Sequence, residues 1–161
     1  MSAPEDDLDR LMTVMDAAFD PTYGEAWNRK QVEDSLLFGR NHYFLVNELG
    51  GPAVTGEQAA GFFLARTGYQ EEELLLLAVL PQFRSRGLGR ILLDELSRTA
   101  RTRGAERIFL EMRRANPAEM LYRNYGFTPI GERPGYYRSI NGERIDAITF
   151  ALELSERTAS S

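Results

Sequence analysis

The stretch that most constrains this chain is EEELLLLAVLPQFRSRGLGRILLDEL, which begins at Glu71. An apolar run of strand length leads through a glycine-containing turn into Leu88, Ile91, Leu92, Leu96 and Ala100, spaced as one face of a helix. Gly104 stands at the C-cap position of that helix. AERIFLEMR then alternates as a strand does. The unit over about 71–112 therefore requires a right-handed crossover and a parallel strand pair. Its first strand, with LLLLAVL unbroken, is expected to be covered on both faces.

The flanks add antiparallel material. Leu8, Leu11, Met12, Met15 and Ala18 predict a helix over 7–18. A second helix is predicted over 28–38, with Asn28 as its N-cap. HYFLVNE and AAGFFLARTG predict strands around the turn-rich ELGGPAVTGEQ. Asn116, Pro117 and Glu119 predict a short helix that starts from Asn116 as N-cap and stops at Gly126. FTPIGERPGYYR and ERIDAITFALEL predict two closing strands joined by INGE. The expectation is an α+β domain with a mixed, twisted sheet of about six to seven strands. It is read as one domain over 1–161, ordered over about 7–155, with residues 1–6 and the last five frayed.

Composition removes whole classes of chemistry. The 161 residues contain no cysteine, which excludes disulfides, thiolate metal sites and a cysteine nucleophile. His42 is the only histidine, so a multi-histidine metal site and a histidine relay are excluded too. His42 opens a strand, has no partner visible in the sequence and is expected to play no catalytic part. A net charge of -5 argues against nonspecific nucleic-acid binding. The longest apolar run, Leu74–Leu80, is too short to span a bilayer, and the acidic N-terminus lacks a signal-peptide core. A cytoplasmic location without membrane attachment is expected.

The turn Arg84-Ser85-Arg86-Gly87-Leu88-Gly89-Arg90 lies between a strand and a helix N-terminus. Unpaired N–H groups and the positive end of the dipole meet there, and such a place binds phosphate. Two glycines permit close backbone approach, and three arginines add charge. The plainer alternative is a tight turn with solvated arginines. There is no Gly-Lys-Ser/Thr, and Leu92 stands where a dinucleotide fingerprint needs its third glycine. In IFLEMRR, Glu111 shares a strand face with Phe109 and Arg113. It is either a general-base candidate beside a cleft or half of an ion pair with Arg113.

The loop fits Arg/Gln-x-x-Gly-x-Gly, and from about residue 8 to the last strand the chain resembles the GCN5-related N-acetyltransferases. The resemblance is carried by LLLLAVLPQFRSRGLGRILLDEL, IFLEMRRANPAEMLYRNYGF and GYYRSINGERIDAITFALEL, in that order. Within the family it is most similar to the RimI-type protein N-terminal acetyltransferases, through LEMRRAN, LYRNYGF and the Tyr-Tyr before DAI. The resemblance implies acetyl-CoA as donor, no metal, and the N-terminal α-amine of a protein, in that type a ribosomal protein, as acceptor. It implies that backbone groups of Leu77, Ala78 and Val79 face the thioester and that the residues from Arg84 to Arg90 hold the pyrophosphate. Glu111 becomes the proton acceptor, Tyr122 the proton donor, and Asn116 a contact to the cofactor arm. Tyr23 and Trp27 on one side and Tyr136 and Tyr137 on the other become the walls around the acceptor. The chain departs from the pattern by one step: Asn116 and Tyr122 are six apart where the family usually has seven. Rival readings are the same fold acetylating a small-molecule amine, or a nonenzymatic acyl-CoA-binding module.

Overall fold

A computed structural model describes residues 4–154, so the expected tails fall largely outside the described residues. At the N-terminal end the helix already includes residues 5 and 6, which the sequence reading treats as frayed. The elements in chain order are α1 (Glu5–Ala18), α2 (Arg29–Phe38), β1 (Asn41–Val46), β2 (Gly61–Thr67), β3 (Glu71–Val79), α3 (Leu88–Thr102), β4 (Arg107–Arg113), α4 (Glu119–Tyr125), β5 (Thr128–Arg138) and β6 (Arg144–Glu153). Short 3-10 turns cover Pro21–Tyr23 and Pro81–Phe83. The six strands form one sheet in the order β1-β2-β3-β4-β6-β5. Within it, β3 and β4 run parallel and the other neighbours antiparallel.

Both faces of the sheet are covered. Phe63, Leu92, Leu96, Phe127 and Phe150 pack on the side of α3 and α4. Leu11, Met15, Val32, Phe62 and Leu64 pack on the side of α1 and α2. Burying each such side chain is worth about 1.5–3 kcal/mol. At α2 the expected cap is present: Asn28 accepts from the Gln31 N–H, and the Gln31 side chain accepts from the Asn28 N–H. Two satisfied donors fix where the loop ends and the helix begins.

The feature that makes room for a site is a bulge in β3. Leu64 of β2 faces Leu76, but the next residue, Ala65, faces Leu74, so Leu75 is surplus. One extra residue exchanges the faces of the strand. Leu74 accordingly packs on the α3 side, while Leu76 and Ala78 pack on the α1 side. The strand also changes course. Parallel pairing to β4 covers only Glu71–Leu74 against Arg107–Leu110, whereas β4 continues along β6 to Arg113. Beyond Leu74 the two central strands part. The coverage expected on both faces of β3 therefore fails at Leu75, Leu77 and Val79, which are only partly buried because they border the opening.

At the other end of β3 the fully buried Glu72 explains His42. Its carboxylate contacts the His42 Nε2 and accepts from the Thr67 hydroxyl at 3.2 Å. Arg103 Nη1 lies 3.0 Å from the same histidine nitrogen and 3.4 Å from the carboxylate. The histidine thus has partners after all, and they give it a place in the scaffold that anchors a buried charge.

Candidate active site

The parting of β3 from β4 opens two clefts that share walls. The first has a volume of about 700 Å³ and runs from the α3 N-terminus to the turn after β4. The second, about 290 Å³, lies between the separated strands. Phe19, Glu25, Leu77, Asn116 and Ala118 border both, so the two form one continuous space.

The first cleft is bordered by the loop that the sequence reading expects to hold phosphate. Ser85 and Gly87 hold positive φ values of 64° and 82°, which turns the chain abruptly into α3. Gly87 is the N-cap and no side chain caps the helix, so its first N–H groups lack a capping side chain, a setting that suits an anion. The two glycines differ in their reasons. Gly87 has open space around it and is required by its left-handed backbone. A Cβ on Gly89 would come within 2.8 Å of Leu121 Cδ2, so this glycine lets α3 pack closely on α4, although the tip of Leu121 could turn aside. The arginines differ as well. Arg84 donates to the Val79 and Ala18 carbonyls at 3.1 and 3.0 Å and braces the wall. Arg86 stacks on Phe83 outside the residues that border the cleft, and Arg90 stacks on Tyr125 at its border. Leu77, Ala78 and Val79 line the same cleft from the β3 edge that has no strand partner.

The second cleft brings Glu111, Tyr122, Trp27 and Tyr137 together. Glu111 lies on the half-exposed face of β4, as alternation predicts. It does not pair with Arg113. Its ion-pair partner is Arg133 of β5, with Nε 3.0 Å from Oε2 but not aligned as a hydrogen bond. Tyr122 is buried and packs edge-on against Phe127 at 5.7 Å. Burial first, and the Glu25 carboxylate second, push its phenol well above the usual value. The Tyr137 phenol is pushed up to about 12, again mainly by burial, with Glu111 and Glu25 adding to it. Tyr136 is 53% exposed, meets Tyr137 edge-to-face, lies under Arg133, and does not border either cleft. Tyr23 borders the first cleft and not the second, beneath the Arg113 guanidinium at 3.6 Å.

Asn116 does not cap α4 directly. The helix begins at Glu119, with Ala118 as N-cap. Asn116 instead closes a turn just before it, its Oδ1 accepting from the Ala118 N–H at 2.8 Å. Its Nδ2 donates to Glu25 at 3.3 Å, and Arg113 Nε donates to the other oxygen of the same carboxylate at 3.3 Å. Sequence reasoning passed over Glu25. Nothing in GEAW distinguishes a carboxylate that turns inward from a solvated one, and only the fold brings it against Arg113. Among the described residues there is no group of three or more His, Asp and Glu placed to hold a metal, and no helix long and apolar enough to cross a membrane.

Comparison with known proteins agrees with this geometry. The family model described as "Acetyltransferase (GNAT) family" matches residues 10–127. The [ribosomal protein bS18]-alanine N-acetyltransferase of Haemophilus influenzae is 32% identical over 101 residues, 63% of this chain and 69% of that protein. Its counterpart in Salmonella typhimurium is 38% identical over 100 residues, 62% of this chain and 67% of that protein. The crystal structure of the ribosomal-protein-S18-alanine N-acetyltransferase from Escherichia coli superimposes with a TM-score of 0.77 at 28% identity, covering 96% of this chain and 92% of that one. With a split sheet, an open helix N-terminus after β3 and a family match across most of its length, the chain belongs to the GNAT family of acetyltransferases, enzymes that use acetyl-CoA.

Proposed function

We propose that this enzyme transfers acetyl from acetyl-CoA to the N-terminal α-amine of a protein, as the names of its relatives describe for ribosomal protein bS18. The observation that carries the reading is that Glu111 and Tyr122 border one cleft where β3 and β4 part. In this reading the diphosphate of acetyl-CoA rests on the first turn of α3 beside Arg90. Its thioester lies along the unpaired edge at Leu77, Ala78 and Val79. Backbone N–H groups aimed at the developing oxyanion are each worth about 2.7–4 kcal/mol.

The acceptor enters between the loop that carries Trp27 and the β5–β6 hairpin that carries Tyr137. Its neutral amine attacks the thioester carbon, a C–N bond forms and the C–S bond breaks. Glu111, through a water molecule, takes the proton the nitrogen loses. Tyr122 gives a proton to the leaving thiolate. Burial keeps that phenol protonated at neutral pH. The same dry surroundings make the thiolate a stronger base than it is in water, so the transfer stays feasible. An α-amine, with a reference pKa of about 7.7–8.0, supplies a few hundredfold more neutral nucleophile at pH 7 than lysine at about 10.4. A ribosomal-protein acceptor, as the relatives' names give it, is consistent with a cytoplasmic enzyme, and that location is part of the same reading.

Steady-state kinetics with an alanine-started peptide, run beside spermidine and an aminoglycoside, tests the assignment. Turnover of the peptide at a kcat/KM at least about tenfold above the small amines is expected. Turnover of the small amines alone would assign the site to them.

A further inference from the structure

The arginines of the donor loop are kept in different ways, and Arg90 shows how. It lies in the first turn of α3, where a cation faces the positive end of the helix dipole. Asp94 stands one turn along, at the i,i+4 spacing where opposite charges commonly meet. Yet the Asp94 carboxylate is engaged elsewhere: its Oδ1 accepts from the Tyr125 hydroxyl at 2.6 Å. The same hydroxyl is 3.3 Å from the Ser97 Oγ. Arg90 instead lies over the Tyr125 ring, its guanidinium carbon 5.3 Å from the centroid. One buried tyrosine therefore engages the carboxylate one turn along from Arg90 and gives the guanidinium a flat support.

We infer that Tyr125 is a positioning residue for the donor site: by holding Asp94 and shelving Arg90, it leaves the Arg90 charge available to the diphosphate of acetyl-CoA. The inference rests on the reading of the α3 N-terminus as the donor site. A guanidinium opposite phosphate makes charge-assisted hydrogen bonds, and a competing carboxylate on the same helix would weaken them.

Calorimetry of the full chain with acetyl-CoA separates the two claims. No heat with the wild-type protein overturns the donor site itself. Where the wild type binds, Tyr125→Phe keeps the ring and releases Asp94 toward Arg90. The Kd and the KM for acetyl-CoA are expected to rise about three- to tenfold, less than the loss of a whole charge-assisted bond, with kcat at saturation within about twofold. Adding Asp94→Asn to Tyr125→Phe should restore wild-type affinity, which a merely structural role of the hydroxyl would not produce. Unchanged affinity in Tyr125→Phe, or a loss that Asp94→Asn leaves in place, overturns the inference. If Tyr125→Phe does not fold, Asp94→Asn alone decides. Affinity within about twofold of wild type supports a carboxylate already held away from Arg90, and a larger change in either direction overturns it.

Discussion

Glu25 accepts a hydrogen bond from Asn116 Nδ2 at 3.3 Å and thereby ties the loop after α1 to the turn that precedes α4. The carboxylate is anchored on its other side by Arg113, which itself lies over Tyr23. Glu25→Gln keeps a hydrogen-bond acceptor but removes the countercharge of an Arg113 that is only 9% exposed. Leaving a buried guanidinium without its partner costs several kcal/mol in the extreme case, about 3–5. Chemical denaturation should show a loss of about 1–3 kcal/mol, and the KM values for both substrates should rise, because the residue borders both clefts.

In the proposed mechanism Glu111→Gln removes the proton acceptor and leaves the walls of the cleft in place. A fall in kcat of about 10²–10⁴-fold is expected, with acetyl-CoA binding preserved in calorimetry. A nonenzymatic binding module would behave otherwise, since it has no kcat to lose. Arg133 becomes the second probe. Arg133→Met should leave the fold intact, the pair being at the surface on the arginine side, 60% exposed.

Tyr122→Phe should lower kcat by about ten- to ten-thousandfold while the complex with acetyl-CoA still forms. Its pH behaviour follows from burial. The folded protein holds the phenol above its ordinary value, so the neutral form is the one that folding favours. The stability this gives is complete below the unfolded phenol value of about 10 and is lost only as pH rises through the higher folded value. Ultraviolet titration should find no phenolate from Tyr122 below about pH 10, measured as the difference between wild type and Tyr122→Phe. A phenolate signal in the neutral range would contradict the buried setting.

Gly89→Ala sets two effects against each other. Alanine in a helix is favoured over glycine by about 0.8–1.0 kcal/mol. The new methyl would lie 2.8 Å from Leu121 Cδ2, the tip of a flexible side chain that borders the first cleft and must turn aside. Overpacking costs about 1–3 kcal/mol where nothing can yield, but the tip of Leu121 can turn aside, so the two effects nearly offset and the melting temperature should change little. A fall in melting temperature that is recovered when Leu121→Ala is added would show instead that Leu121 is locked in place.

Much of this was legible in the sequence because it was written in periodicities. The crossover unit, the capping box at Asn28 and the alternation that puts Glu111 on the open face of β4 all follow from local rules. What was not legible depends on contacts between distant segments. Leu75 is one leucine in a row of four, and nothing in LLLL says which of them is surplus; its partner Leu64 decides. Pro117 invites a helix start at Asn116, but the Asn116 side chain prefers to close a tighter turn and to reach Glu25 across the cleft. Glu72 and Glu25 look like surface acids until a histidine and an arginine far away in sequence come to meet them.

The extra residue in β3 has a consequence for how such an enzyme can change its clients. The floor of the chamber is made by strands that also knit the two halves of the core, and it is costly to rebuild. Its rims, the segment with Trp27 and the far end of β5 with Tyr137, lie at the margin of that fabric, one packed against a core cluster and the other on the edge strand of the sheet. If the proposed acceptor walls are right, selection can retailor the rims for a new amine while the floor beneath them is inherited whole.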